Sequence, residues 1–208
     1  MIIRGFWHIY MINHWYSIVS DQLRILLSSG LYDNSETINI GCVGSKKERM
    51  FLQKCFIDIY PKLKVKYYLG DPLVYEFPTI QLIENWPGNY YGYYFHTKGV
   101  TRPFDSVINH WRAWQNEAIL NRWRFNYKNI HEGYDISGVN FCASPDHYSG
   151  NFWWFNREYI DKLPKIADLD HKNRFHAEQW NFMCKDVVAF KGEFVEASRD
   201  VFKMKINP

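Results

Sequence analysis

The sequence predicts an α/β fold in which helices cover both faces of a mostly parallel sheet. Short runs rich in β-branched and aromatic residues alternate with longer segments whose apolar residues recur every three or four positions. The chain of 208 residues is long enough to bury a large core around one central sheet, and a second full domain is not expected. We therefore expect one domain spanning residues 1–208.

The first half of the chain alternates strands with helices. The helices are expected from Trp15 to Leu27, around Glu48 to Tyr60, and from Pro78 through Ile83. The strands are expected at Ile2–Ile12, Thr37–Val43, Lys64–Leu69 and Tyr90–Phe95. Such alternation implies parallel strands with ligands beyond their carboxyl ends, so functional residues are expected just after each of these strands.

The second half is less regular. A long helix is expected at Asp105–Phe125, followed by a strand at Tyr134–Phe141. Shorter helices are expected at Arg157–Lys162 and Ala177–Lys185, and a last strand at Asp186–Phe190. No internal repeat, linker or low-complexity tract interrupts this order.

Composition and charge narrow the class of protein. The net charge of +3 and the absence of a dense Lys/Arg run argue against nucleic-acid binding, although aromatic residues beside lysines also serve single-stranded nucleic-acid binders. Four scattered cysteines suggest neither a zinc site nor a disulfide framework, so a reducing compartment is expected. No segment resembles a signal peptide or a membrane span, which predicts a soluble, cytoplasmic protein. Aromatic residues, at 19%, suit a cleft for sugars and bases.

The strongest candidate site is His96-Thr97-Lys98-Gly99, directly after the fourth predicted strand. Lys98 can neutralise a diphosphate, and Thr97 can donate a hydrogen bond to it. His96 can bind a divalent metal ion or a phosphate oxygen. The alternative is a polar turn with a solvated lysine.

Two other strand ends are candidate nucleotide contacts. Tyr10 can stack on or hydrogen-bond a base, and Asn13 stands either at a ligand contact or at a helix N-cap. Val43 and Gly44 follow the second strand, where a glycine lets a ligand approach the backbone closely, although a plain turn also explains them.

Four motifs in order give the sequence a family resemblance. Ser29–Asp33 reads S-G-L-Y-D, His96–Gly99 reads H-T-K-G, Ser149–Trp154 reads S-G-N-F-W-W and Ala177–Trp180 reads A-E-Q-W. This set resembles GT-A fold glycosyltransferases, in particular a group of bacterial and viral H-T-K-G sugar transferases that includes capsid-glycan enzymes of chlorella viruses. The likeness covers nearly the whole chain.

The resemblance implies a Rossmann-like GT-A fold and transfer of a hexose or deoxyhexose from a UDP-sugar to a hydroxyl of a glycan or glycoprotein. It also implies a divalent metal ion, Mn²⁺ by preference, and a place in a larger multi-domain glycan-synthesis protein, in the host cytoplasm if the source is viral. Neither a nucleic-acid partner nor a membrane span is expected.

The sequence departs from the family at the metal motif. GT-A enzymes usually carry D-x-D after the fourth strand, where this chain has His96-Thr97-Lys98. Either His96 and phosphate oxygens bind the metal ion, or Lys98 is itself the cation opposite the diphosphate. The D-x-D string at Asp168–Asp170 lies far along the chain and is typical of a solvated acidic turn.

The resemblance also suggests the catalytic base. Glu178 resembles the carboxylate that inverting GT-A enzymes place beneath the acceptor hydroxyl. The alternative is a glutamate in the first turn of a helix, stabilised by the helix dipole. Six residues are predicted to contact the donor sugar or the acceptor: Glu76, Asp146, His147, Gly150, Asn151 and Trp153.

A rival hypothesis from another class remains open. The aromatic residues can form the cleft of a carbohydrate-binding module without catalysis. Such a module binds glycans without nucleotide, and replacing Glu178 leaves that binding unchanged.

Overall fold

The computed structural model describes residues 1–191. A seven-stranded sheet runs through it in the order β3-β2-β1-β4-β8-β5-β9, and β6 and β7 form a separate hairpin. The strands are β1 Ile3–Met11, β2 Thr37–Gly44, β3 Leu63–Leu69, β4 Tyr91–His96, β5 Ile136–Gly138, β6 Phe141–Ala143, β7 Asp146–Tyr148, β8 Trp153–Asn156 and β9 Ala189–Phe190. The predicted α/β class with a mostly parallel sheet is confirmed. Residues 192–208 of the predicted domain lie outside the described part.

Eight α-helices connect the strands of the described part or cover its sheet. They are α1 Trp15–Ser28, α2 Leu31–Asn34, α3 Lys46–Leu52, α4 Phe77–Asn85, α5 Ser106–Asn116, α6 Trp123–His131, α7 Arg157–Ile160 and α8 Arg174–Gln179. None of the helices in residues 1–191 has the length and apolar character needed to cross a bilayer.

The order in which successive strands join the sheet reverses at β1. The chain passes from β1 to β2 and β3 on one side, and then returns so that β4 pairs with β1 on the other side, all in parallel. In open α/β sheets a crevice forms at such a reversal, beyond the carboxyl ends of the strands. This crevice lies between the ends of β1 and β4.

One strand runs against the others. β8 lies between β4 and β5 and is antiparallel to both. Its start therefore lies at the same edge of the sheet as the end of β4, so the loop before β8 reaches the crevice.

The two faces of the sheet carry separate apolar cores. Trp7, Phe95 and Trp154 belong to the core that α1 and the segment around Ile119 cover. Phe6 and Trp153 belong to the other core, with α4 and α8. Trp153 and Trp154 enter opposite cores because successive side chains of a strand point to opposite faces.

The prediction of one continuous helix at Asp105–Phe125 is wrong. A π-helical turn at Glu117–Asn121 separates α5 from α6, which continues to His131. In this wider turn the Ile119 carbonyl accepts a hydrogen bond from Trp154 Nε1 at 2.9 Å. The predicted helix around Glu48–Tyr60 likewise passes from α3 into a π-helical turn at Gln53–Ile57.

The predicted strand at Tyr134–Phe141 is also divided. Its first part is β5 in the main sheet, and its end begins the β6–β7 hairpin. Asn140 lies between them with φ +61°, a conformation that ends a strand.

Candidate functional site

A cavity of about 460 Å³ lies at the carboxyl ends of β1 and β4. Its walls come from these two strand ends, the end of β2, the loop before α4, the loop before α5, and the helices α5 and α8. The lining residues are His8, Tyr10, Val43, Pro72, Leu73, Tyr75, Glu76, His96, Thr97, Lys98, Gly99, Val100, Thr101, Arg102, Ile108, Trp111, Arg174, Ala177 and Glu178. Seven of the residues predicted from the sequence are among them: Tyr10, Val43, Glu76, His96, Thr97, Lys98 and Glu178.

Thr97 ties the two central strands together at the cavity. Its hydroxyl accepts a hydrogen bond from the Tyr10 backbone N–H at 2.9 Å, and its own N–H donates to the His8 carbonyl at 3.1 Å. The Thr97 residue is only 3% exposed. It therefore fixes the position of Tyr10 relative to β4.

Lys98 carries a positive charge into the cavity. Its Nζ lies 3.9 Å from the centre of the Trp111 ring, and no carboxylate of the described residues forms an ion pair with it. Burial lowers the pKa of Lys98; Glu178 and Glu76 oppose this, and Arg102 and Arg174 add to it. Charge repulsion and desolvation both favour an anionic ligand beside this ammonium group.

His96 and Glu76 face each other inside the cavity. His96 Nε2 lies 2.9 Å from the Gly150 carbonyl, and because a carbonyl only accepts, we assign the proton to Nε2. Nδ1 then presents its lone pair to Glu76 Oε1 at 3.5 Å. The other oxygen of Glu76 accepts hydrogen bonds from Tyr94 Oη at 2.6 Å and Asn151 Nδ2 at 2.7 Å. The carboxylate is thus held rigidly with one oxygen free.

His8 is a site residue that the sequence interpretation missed. It lies opposite His96 in the parallel β1–β4 register, and its Nδ1 shares a hydrogen bond of 2.8 Å with Thr79 Oγ1. Burial lowers the pKa of His8 to about 4 and that of His96 to about 4, so both rings are neutral at pH 7. The available signal was its position two residues before Tyr10, on the same face of the strand.

Glu178 lies near the end of α8, whose N-cap is Asn173. The expectation that Glu178 begins a helix is wrong, and the helix dipole at a first turn does not explain this carboxylate. Burial raises the pKa of Glu178 and Glu76 adds to the rise, while Lys98, His96 and Arg174 oppose it. In residues 1–191 no hydrogen bond or ion pair holds its carboxylate, which therefore remains available to a ligand.

Two arginines complete the charge of the cavity. Arg102 comes from the loop after β4 and Arg174 from the first turn of α8. Together with Lys98 they place three cations against the two carboxylates Glu76 and Glu178. Neither arginine was predicted from the sequence, since nothing local to them indicates a site.

Asn13 and Gly44 lie close to the cavity without lining it. Asn13 has φ +48° and its side chain donates to the Val100 carbonyl at 3.0 Å. His14, not Asn13, is the N-cap of α1, so the N-cap alternative is wrong. The Gly44 carbonyl accepts from Tyr68 Oη, and a Cβ on this glycine would lie 2.8 Å from the Met11 Cβ.

The loop before β8 supports the cavity from behind. The Gly150 carbonyl bonds to His96, and Asn151 is 1% exposed with its amide on Glu76. Trp153 is also 1% exposed and donates to Asn151 Oδ1 at 2.9 Å. The expectation that the Trp153 ring meets a sugar is wrong, because the alternation of β8 turns this ring into the core.

Asp146 and His147 do not reach the cavity. Both lie on β7 of the separate hairpin. Asp146 is 3.9 Å from Lys191 Nζ, and His147 Nδ1 is 2.7 Å from the Pro145 carbonyl. The structure thus gives both side chains local partners outside the cavity lining.

The described residues do not form a metal site on their own. Within residues 1–191 no three His, Cys, Asp or Glu side chains are grouped to hold a metal ion. Two donors are nevertheless aligned, His96 Nδ1 and Glu76 Oε1, with no hydrogen between them in the neutral-histidine state. This pair fits a cation only if ligand oxygens complete its coordination.

Comparisons with known proteins give a distant structural likeness. No family model matches the sequence, and no curated protein matches it. The fold is similar to the crystal structure of a 4-diphosphocytidyl-2C-methyl-D-erythritol synthase from Anaerococcus prevotii DSM 20548, with 11% sequence identity and a TM-score of 0.47. The alignment covers 97% of this chain and 95% of that one. A likeness this distant carries no functional conclusion, and the α/β class rests on the order of the sheet itself.

Proposed function

We propose that the chain is a glycosyltransferase that moves a hexose or deoxyhexose from a UDP-sugar to a hydroxyl of a glycan or glycoprotein. The observation that carries this proposal is a single cavity holding both an unpaired ammonium group, on Lys98, and an available carboxylate of raised pKa, on Glu178. Group transfer from a diphosphate needs both, one for the leaving group and one for the incoming hydroxyl.

The diphosphate is proposed to lie against Lys98. An ammonium group that is partly desolvated and has no carboxylate partner gains a strong charge-assisted contact when a phosphate oxygen arrives. Its position after β4, at the reversal of the sheet, is where α/β folds bind phosphorylated ligands. Tyr10 and Val43, at the ends of β1 and β2, are proposed to contact the uridine.

Glu178 is proposed to act as the general base. The acceptor oxygen forms a bond to the anomeric carbon while the bond from that carbon to the phosphate oxygen breaks. The bonding electrons leave with UDP, and the hydroxyl proton passes to the Glu178 carboxylate. A raised pKa brings this carboxylate closer to working pH and so makes it a better proton acceptor.

Glu76 is proposed to position the donor sugar. Its Oε2 is fixed by Tyr94 and Asn151, so the remaining oxygen has a defined direction in the cavity. If Mn²⁺ binds, His96 Nδ1 and Glu76 Oε1 would hold it, and it would neutralise diphosphate charge alongside Lys98.

The rival hypothesis is a carbohydrate-binding module without catalysis. Of the aromatic residues it could use, Trp153 and Trp154 are at most 1% exposed, while Tyr10, Tyr75 and Trp111 line the cavity. A module of that kind also has no use for buried histidines and carboxylates around one cavity.

Calorimetry with UDP, GDP, CMP and ADP, each with and without Mn²⁺, tests the proposal. We expect UDP to bind most tightly. Lys98→Ala should weaken the binding of UDP roughly ten- to hundredfold, which is the range for one hydrogen bond to a charged group. The affinity for free uridine should stay almost unchanged.

Lys128→Ala is the matched control, since Lys128 is exposed on α6 and pairs only with Glu132 in the described part. It should leave both affinities as they are. If none of the four nucleotides binds under any condition, the proposed function is wrong. If Lys98→Ala lowers the affinities for UDP and for uridine equally, Lys98 does not contact the diphosphate.

A further inference from the structure

A second concave surface lies outside the candidate site, between the start of α1 and the segment formed by α3 and its π-helical extension. It is a groove of about 620 Å³. Its lining residues are Trp15, Tyr16, Lys46, Lys47, Glu48, Met50, Phe51 and Lys54. None of them lines the candidate site, so this groove needs an explanation of its own.

Packed aromatic rings form the apolar part of the groove. The centre of the Phe51 ring lies 6.1 Å from that of Trp15 and 5.2 Å from that of Tyr16. Tyr16 is 46% exposed, Phe51 47%, and Met50 in the same lining 65%. Exposed apolar side chains that share one groove form a joined apolar surface, which scattered single residues do not.

The lysines of the groove have no counter-charge. In the described part of the chain Lys46, Lys47 and Lys54 form no ion pair. The carboxylate of Glu48 accepts the Ser45 backbone N–H at 3.0 Å and completes the capping box of α3. The groove therefore combines apolar surface with positive charge that the protein itself does not neutralise.

Helix stability does not account for two of these lysines. Lys46 and Lys47 occupy the first turn of α3, where free backbone N–H groups already give the helix end a positive character. A cation at this end weakens the helix, whereas Glu48 in the same turn stabilises it. A ligand with negative charge would relieve the repulsion.

The residue types favour a membrane surface over a protein partner. Interfaces between proteins are depleted in lysine and enriched in arginine, and this lining has lysines only. Exposed aromatic side chains beside lysines are typical of segments that lie in the headgroup layer of a bilayer. There the rings reach the edge of the acyl chains, and the ammonium groups meet the lipid phosphates.

We infer that this groove docks the protein on an anionic phospholipid membrane. Tyr16, Met50 and Phe51 enter the headgroup layer, and the three lysines contact the phosphates. The inference goes beyond the proposed function and does not depend on it, since it adds a partner at a separate surface.

The position of the groove gives this docking a defined orientation. The helix α3 begins just after β2 ends, and α1 begins just after β1 ends. The groove therefore lies at the same edge of the sheet as the candidate site, because the carboxyl ends of parallel strands share one edge. A membrane docked on the groove lies beside the strand ends that form that site.

Flotation of the full chain with lipid vesicles tests the inference. One vesicle set contains phosphatidylcholine alone, and in the other phosphatidylserine replaces part of it. We expect binding to the mixed vesicles only, weakening as NaCl is added because salt screens exposed charges.

Two sets of variants separate the charged from the apolar contribution. Lys46→Ala/Lys47→Ala/Lys54→Ala should lower the affinity for mixed vesicles roughly a hundredfold, at about fivefold for each lysine. The same three positions changed to arginine should retain binding. Phe51→Ala should lower the affinity about tenfold through lost apolar burial.

Matched controls change the same residue types outside the groove. Lys64→Ala/Lys128→Ala/Lys162→Ala removes as much charge from exposed positions, and Leu27→Ala removes a side chain that is 38% exposed at the other end of α1. Both should bind mixed vesicles like the parent chain.

Three outcomes would overturn the docking surface. Equal losses in the two triple-alanine variants would mean that net charge alone attracts the chain. Absence of binding to mixed vesicles would exclude the membrane, and binding of a glutamate- and leucine-rich helical peptide in its place would assign the groove to a protein partner. Calorimetry with UDP tests the proposed function separately, since all these variants should bind UDP like the parent.

Discussion

At the scale of single residues, the contact between His96 and Glu76 defines the chemistry of the cavity floor. An imidazole lone pair and a carboxylate oxygen are both acceptors, and they lie 3.5 Å apart. Two acceptors at this distance repel unless a proton or a cation lies between them. The floor of the cavity therefore favours positive charge from a ligand, a metal ion or a proton.

The pH dependence of transfer should follow Glu178. The carboxylate must be ionised to take the acceptor proton, and its raised pKa moves the acid limb of kcat/KM to a higher pH than an ordinary glutamate gives. The lowered pKa of Lys98 moves the alkaline limb down in the same way, because the ammonium charge is lost as pH rises. A pH profile of kcat/KM measures both limbs.

Glu178→Gln should lower kcat by about 10²- to 10⁴-fold and remove the acid limb, with little change in UDP affinity. Glu158→Gln, at an exposed position of α7, is the control and should leave the profile intact. An acid limb that persists in Glu178→Gln would assign the base to another group.

Single residues also show which parts of the site the sequence can reveal. Lys98 was predicted because a motif directly after a strand places it at the sheet edge. Arg174 and His8 were not, because an arginine in a short helix and a histidine within a strand look the same whether or not they line a cavity. Their role depends on which segments the fold brings together.

At the scale of elements, β8 shows the limit of local patterns. Its run of aromatic residues indicates a strand, but not the direction in which that strand runs or the strands between which it lies. Its antiparallel pairing brings together residues distant in the sequence, and Gly92 of β4 lies opposite Phe155 of β8. The missing side chain of Gly92 provides the room that the Phe155 ring fills.

Gly92→Ala should therefore destabilise the protein. A Cβ at this position would clash with the Phe155 ring, which is fully buried. Overpacking of this kind costs about 1–3 kcal/mol, measurable by denaturant unfolding. Gly70→Ala is the matched control, since nothing lies within 4 Å of its Cβ. Equal changes in both variants would show that the Gly92–Phe155 contact does not limit stability.

At the scale of the whole molecule, the α/β class followed from the sequence because alternation of strands and helices is visible in local periodicity. The complete lining of the cavity could not be predicted from the sequence, because its walls come from segments as distant in the chain as those of His8 and Glu178. Four parallel strands in a row were enough to predict the edge of the sheet where ligands bind. They did not show that α8 would lie across that edge.

Acid should destabilise the folded protein through His8 and His96, because burial lowers the pKa of each to about 4. The pKa of His8 falls from 6.5 to about 4 on folding, so below pH 6.5 the unfolded chain takes up a proton that the folded protein does not. For His8 alone the resulting loss in the free energy of unfolding reaches about 3 kcal/mol at pH 4. It is absent above pH 6.5, where both states are neutral.

Denaturant unfolding between pH 7 and pH 4 measures this loss. His8→Asn should remove about half of the dependence on pH, because His96 keeps its own lowered pKa. His110→Asn, at an exposed position of α5, should leave the dependence as in the parent. An unchanged slope in His8→Asn would mean that other groups cause the acid sensitivity.

The late position of β8 in the chain has a consequence for biosynthesis. When the ribosome has produced residues 1–135, β1 to β4 can pair, but β4 still has an open edge because its partner ends at Asn156. Translation at about 5–20 residues per second leaves this apolar edge uncovered for seconds, and an open strand edge is where nascent chains associate wrongly. A shortened chain that stops before β8 should therefore form aggregates, because nothing then covers the open edge of β4.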